Sequence, residues 1–254
     1  MIDLNKEGTI ILSRYRSGGT QLLNILEEYY ILKGYECENL REFDIVIDDG
    51  VDTQIYEFFN PHESVKKVIL LNNPKAISYF EKTNYFEKLL KDYNIIFLNR
   101  KDKEKNLLSL PLWECLIHAG LYDYEGDDVE ERMKQFHEDL VKNPINYRKV
   151  YLGHHIDLIE SQYENHLNLI IYLLLSEWRL LKSISSKYGI KEIYYEDYEY
   201  NLNNFLTNNF NISDKKELDI FAHLHRKINY MSKDYRIYFD KETNKILDIW
   251  KLNE

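Results

Sequence analysis

Between an apolar run and an amphipathic segment, the stretch Thr9-Ile-Ile-Leu-Ser-Arg-Tyr-Arg-Ser-Gly-Gly-Thr-Gln-Leu-Leu gathers two arginines, two serines, two threonines and two glycines. Those residue types in that order suit the binding of an anion. Gly18 and Gly19 allow successive backbone N–H groups to turn inward, and a helix opening at this point adds unpaired donors and a positive dipole end. Ser17 and Thr20 supply hydroxyl donors, while Arg14 and Arg16 supply guanidinium forks. A phosphate-like ligand is the expectation. It is not a Walker A loop: no glycine stands five residues before Gly19, and Thr20 occupies the place of the Walker lysine. Asp48-Asp49, after the run Phe43–Ile47, would imitate a Walker B carboxylate only weakly.

A second stretch repeats the plan. Asn94-Ile-Ile-Phe-Leu-Asn-Arg100 is an apolar run ending in arginine, followed by Asp102 as a helix cap and by Ser109 nine positions after Arg100. Two basic strand ends, each leading into a helix, suggest two grips on one ligand.

These motifs need elements to hold them. Short apolar runs at Thr9–Leu12, Ile45–Ile47, Val68–Leu71, Ile95–Leu98 and Ile193–Tyr195 read as buried strands. Helical spacing covers Gln21–Lys33, Pro74–Lys91, Lys103–Ala119, Val129–Val141 and Leu167–Tyr188, the last ending at Gly189 as an αL cap requires. Strands alternating with helices predict an α/β fold: a three-layer α/β/α arrangement around a central, mostly parallel sheet. In such sheets ligands bind at the carboxyl ends of the strands. After Asn201 the alternation gives way to helical segments and then to a hairpin over Tyr235–Trp250. No repeat or linker divides the chain, so one domain over 1–254 is expected, with 201–254 as its C-terminal part or an appendage.

The order Arg-Ser-Gly-x-Thr after a strand resembles the 5′-phosphosulfate loop of sulfotransferases, often [PY]-[KR]-S-G-[ST]-T. Ser13-Arg14-Tyr15-Arg16-Ser17-Gly18-Gly19-Thr20 is most similar to the S-R-P-R-S-G-S-T of the bacterial branch that includes trehalose sulfotransferases. Tyr15 stands where Pro is usual, and Gly19 where Ser or Thr is usual. Arg100 and Ser109 resemble that family's 3′-phosphate site. The helix with Trp178, followed by Tyr195-Glu196-Asp197, is a third echo and reads as scaffold. Arg226 and Lys227 are candidates for a closing basic loop.

The resemblance implies a P-loop-like fold and transfer of a sulfuryl group from 3′-phosphoadenosine 5′-phosphosulfate (PAPS) to a hydroxyl or amine of a small-molecule or carbohydrate acceptor. The product is the 3′,5′-bisphosphate (PAP), and no metal is implied. Arg14, Arg16, Ser17, Gly18, Gly19, Thr20, Arg100 and Ser109 would bind the nucleotide, with Arg16 near the bridging oxygen. The resemblance maps a catalytic carboxylate to Glu42. Glu36, Glu38, His62 and His118 remain rivals for the general base. A P-loop nucleotide or small-molecule kinase, and a nucleotide-binding member without turnover, are the alternatives.

Composition narrows the rest. The chain has 254 residues with 33 basic and 43 acidic side chains, giving a net charge of −10 that repels nucleic acid and anionic membranes. The apolar run Leu169–Leu175 is far short of a membrane span. Without a signal-peptide pattern, and with Cys37 and Cys115 too few for a disulfide framework, a cytoplasmic protein with free thiols is expected. No cysteine or histidine pair has zinc spacing; His154 and His155 diverge on any regular element. Tyrosine is so abundant, at 22 residues, that single tyrosines carry little weight. Oligomeric state is open.

Overall fold

The computed structural model describes residues 2–14, 17–40, 65–72, 74–103, 106 and 175–224. The chain forms two compact units, one of Met1–Lys101 with Trp178–Asn229, the other of Asp102–Glu177 with Tyr230–Glu254. Almost all described residues belong to the first.

Among the described residues that unit has five strands: β1 (Gly8–Ser13), β2 (Glu36–Leu40), β3 (Val65–Leu71), β4 (Tyr93–Asn99) and β5 (Lys191–Tyr194). All neighbours pair in parallel, in the order β2-β3-β1-β4-β5. The helices are α1 (Gly19–Leu32), α2 (Pro74–Lys82), α3 (Tyr85–Asp92), α4 (residues 175–188), α5 (Tyr195–Tyr200), α6 (Leu202–Phe210) and α7 (Lys215–Ile220). The expected α/β architecture is present.

Side-chain alternation separates the two faces of the sheet. Ile11, Val68, Leu70, Ile96, Leu98 and Ile193 point to one face, where α1, α5, α6 and α7 cover them. Ile10, Leu12, Ile69, Leu71, Ile95 and Phe97 point to the other, against α2, α3 and α4. The period of two thus feeds two cores, and the central strands read as continuous apolar runs because both faces are buried. On α1, Leu22, Leu23, Ile25 and Leu26 have no exposed surface, and each contributes about 1.5–3 kcal/mol of burial.

Three expectations need correction. The helix predicted over Pro74–Lys91 is two helices. Asn84 takes a left-handed conformation (φ 57°), and the Thr83 hydroxyl donates back to the Tyr79 carbonyl at 2.8 Å. The break lets Phe80 meet both Tyr85 and Phe86. The strand expected at Ile193–Tyr195 runs from Lys191 to Tyr194, and Tyr195 opens α5. Glu36–Leu40, read as a segment holding catalytic carboxylates, is the edge strand β2. Its Glu-Cys-Glu-Asn-Leu sequence lacks β-branched residues, and its partly exposed side chains fit an edge. The helical reading after Asn201 agrees with α6 and α7, and Gly189 is left-handed after α4 (φ 61°). The strand at 45–47, the helices at 107–119, 129–141 and 167–174, and the 235–250 hairpin lie outside the described residues.

Candidate functional site

The strand order decides where the two basic motifs meet. From β1 the chain passes through α1 to β2, on one side of β1; β4 and β5 lie on the other. The helices α1 and α4 cover opposite faces. Adjacent strands whose connections leave in opposite directions open a crevice at their carboxyl ends, and β1 with β4 is such a pair. Ser13 aligns with Leu98, so Arg14 and Arg100 follow the ends of neighbouring strands.

The loop after β1 is shaped by Gly18. Its φ of 86° and ψ of 19° are left-handed, and it caps α1. The Gly18 carbonyl accepts from Gln21 N–H at 3.1 Å, Leu22 N–H at 3.2 Å and the Tyr198 hydroxyl at 2.9 Å. Gly19 and Thr20 stand in the first turn of α1, where the N–H groups of a helix point away from its body, the geometry by which helix starts bind anions. Ser13, 1% exposed, has an Oγ with no hydrogen-bond partner among the described residues. That oxygen lies 3.2 Å from where a Cβ on Gly19 would stand, under the opening of α1. Arg14 and Ser17 are buried as well.

Glycine at 19 has its own cause. A Cβ there would come within 2.5 Å of Leu70 Cδ1. Gly19 is helical, so the left-handed turn belongs to Gly18 alone, and the nest expected from both glycines narrows to one.

At the end of β4, Arg100 is 8% exposed. Its Nε stands 3.3 Å from Glu196 Oε1, and its Cζ lies 4.1 Å from the centre of the Tyr195 ring. Asn99 anchors the turn: its Oδ1 accepts from Arg100 N–H at 2.8 Å and from Trp178 Nε1–H at 3.3 Å, and its amide donates to Glu192 at 2.7 Å. Glu196 Oε2 accepts from Lys101 N–H at 2.9 Å.

One ring joins the two motifs. The Cδ2–Cε2 edge of Tyr195 occupies the space a Gly18 side chain would need, while Arg100 stands over the same ring. With ordinary bond lengths this keeps the Arg100 guanidinium carbon within about 9 Å of Gly18 Cα. Tyr195 and Tyr198 themselves meet edge to face at 5.1 Å between centroids. Burial pushes the Tyr198 phenol well above its usual range, and Tyr195 adds to the rise while Arg100 opposes it; at neutral pH Tyr198 is a donor. Among the described residues, most buried polar side chains of this unit stand at or just after the carboxyl ends of the strands: Ser13, Arg14, Ser17, Asn72, Asn99, Arg100, Glu196 and Glu199.

Of the expected site residues, the structure gathers Arg14, Ser17, Gly18, Gly19 and Thr20 after β1, and Arg100 after the adjacent strand. Arg16, Glu42 and Ser109 lie outside the described residues, as do Tyr15, His62, His118, Arg226 and Lys227. Glu36 and Glu38 stand away from the ends of β1 and β4. The register aligns Glu38 with Lys67 and Lys67 with Gly8, at the amino end of the sheet. Five residues of strand, about 16 Å, separate that level from Ser13, and Glu36 is lower still. Tyr195 and Glu196, read as scaffold, stand inside the candidate site, and so does Tyr198. Ser13 and Asn99 were also missed as contributors, although both end apolar runs just before a basic residue.

Among the described residues no group of histidine, cysteine and acidic side chains could hold a metal ion, and no helix is long and apolar enough to cross a membrane. No protein-family model matches the chain, and no curated protein matches it.

Proposed function

We propose that the protein is a sulfotransferase that takes a sulfuryl group from 3′-phosphoadenosine 5′-phosphosulfate to a hydroxyl or amine of a small-molecule or carbohydrate acceptor. The observation that carries this reading is the Tyr195 ring lying against both Gly18 and Arg100. Two anion grips one ring apart match a nucleotide with phosphates on both the 5′ and 3′ positions of one ribose. Buried arginines at both grips, the start of α1 at Gly19 and Thr20, and a Ser13 hydroxyl without a hydrogen-bond partner among the described residues support an anionic occupant.

In this reading Gly18, Gly19, Thr20, Ser17 and Arg14 hold the 5′ end, and Arg100 with Ser109 holds the 3′-phosphate. The acceptor oxygen forms a new S–O bond as the bond from sulfur to the bridging phosphate oxygen breaks. The electron pair leaves with the 5′-phosphate, where Arg16 and the start of α1 stabilise the growing charge. The acceptor proton passes to a general base, with Glu42 the first candidate and His62 and His118 its rivals. Holding donor and acceptor in line supplies the remainder.

Transfer of label from sulfur-labelled donor to a panel of sugars, phenols and amines tests the activity. Labelled product with the wild type and none with Arg16→Ala is the expected result. Binding of the bisphosphate without labelled product across the panel would leave a nucleotide-binding protein without turnover. Stabilisation by Mg²⁺-ATP and not by the bisphosphate would favour a kinase.

A further inference from the structure

We infer that Glu196 is a positioning residue that sets the Arg100 guanidinium for anion binding; that the anion is a 3′-phosphate rests on the reading above. The two carboxylate oxygens are divided between consecutive residues. Oε1 faces Arg100 Nε at 3.3 Å, and Oε2 accepts from the Lys101 N–H at 2.9 Å. One oxygen therefore holds a side chain and the other the backbone that carries the next one. The Glu196 side chain is 6% exposed and that of Arg100 8%, so bulk water screens the pair little.

A guanidinium is planar, and its use in recognition depends on where its bidentate edge points. Glu196 Oε1 pairs with the Nε end as an ion pair at 3.3 Å without hydrogen-bond alignment, and the guanidinium carbon lies over the Tyr195 ring at 4.1 Å from its centre. A buried negative charge beside Nε and a ring beneath Cζ together restrict where the fork can point. A counter-ion serving only to neutralise Arg100 would not need its second oxygen tied to the strand end. Asn99 fixes the same turn from the other side, through the Arg100 N–H. The arginine is thus hydrogen-bonded at its backbone and contacted at Nε and Cζ by residues of β4 and of the β5–α5 junction.

The test combines a ligand-free readout with a pair of probes. In the ligand-free protein, the Nε–H resonance of Arg100, assigned by its loss in Arg100→Lys, should shift and broaden in Glu196→Gln. The bisphosphate should then bind Glu196→Gln at least tenfold more weakly than wild type, while adenosine 5′-monophosphate, which lacks the 3′-phosphate, should bind both equally. In an Arg100→Ala background the Glu196→Gln change should add no further loss. Glu196→Asp keeps the charge but shortens the reach, and should show the same selective loss if the glutamine variant fails to fold. An Arg100 resonance that ignores Glu196→Gln, or equal losses for both nucleotides, would overturn the positioning role. A resonance that responds in a protein binding neither nucleotide would uphold the Glu196–Arg100 coupling and sink the nucleotide reading.

Discussion

The Tyr198 hydroxyl donates to the Gly18 carbonyl at 2.9 Å across 180 residues of sequence. This bond ties the helix after β5 to the turn after β1, so the anion loop is shaped by a distant part of the chain as well as by its own glycines. Tyr198→Phe should cost about 1 kcal/mol in stability, because Gly18 keeps two backbone donors. It should also weaken binding of the bisphosphate. Chemical unfolding and calorimetric titration of the same variant would check both.

Gly18→Ala should be the most damaging single methyl in the loop. It forces an L side chain into a φ of 86° and drives its Cβ into the Tyr195 ring. A loss of roughly 2–4 kcal/mol is expected, read as a drop in the urea midpoint. Near-wild-type stability would mean that the turn is not fixed as described.

Gly19→Ser would restore the hydroxyl usual in the resembled family, yet should destabilise the protein by roughly 1–3 kcal/mol. The new Cβ meets Leu70 Cδ1 at 2.5 Å. Leu70→Ala in the same chain should recover part of that loss, giving a non-additive double-mutant cycle. Strict additivity would contradict the contact.

Alkaline pH should unfold the protein through its buried phenols. Burial pushes Tyr30 up to about 12 despite its hydrogen bond with Thr9, and it raises Tyr93 and Tyr198 as well. The unfolded chain ionises these groups near pH 10, so it binds fewer protons than the folded state above that pH. Their contribution is therefore intact below pH 10 and lost as pH rises toward 12. Urea midpoints at pH 8, 10 and 11 should fall in that order, and Tyr30→Phe should flatten the decline.

How much of this was legible depended on what each residue's neighbours had to be. The runs ending at Ser13 and Asn99 are buried on both faces and stopped by basic residues, so strand, loop and grip could all be read from them. The edge strand at Glu36–Leu40 gave little signal, because half-exposed edge residues need not be apolar, and only the register shows that its carboxylates lie toward the amino end of the sheet. The break at Asn84 carries neither glycine nor proline. Tyr195 was hidden twice over: tyrosine is common throughout this sequence, and nothing local says that β5 lies beside β4, which alone brings Tyr195 between Gly18 and Arg100.

The central claim is that the crevice at the ends of β1 and β4 holds one nucleotide by two phosphates. Calorimetric titration with adenosine 3′,5′-bisphosphate, in EDTA and without added Mg²⁺, tests it most directly. One site of micromolar or tighter affinity is predicted, weakened at least a hundredfold by Arg100→Ala and matched by adenosine 5′-monophosphate only at a similarly weakened level. Equal affinity for the two nucleotides, or no heat of binding at millimolar bisphosphate, would contradict it.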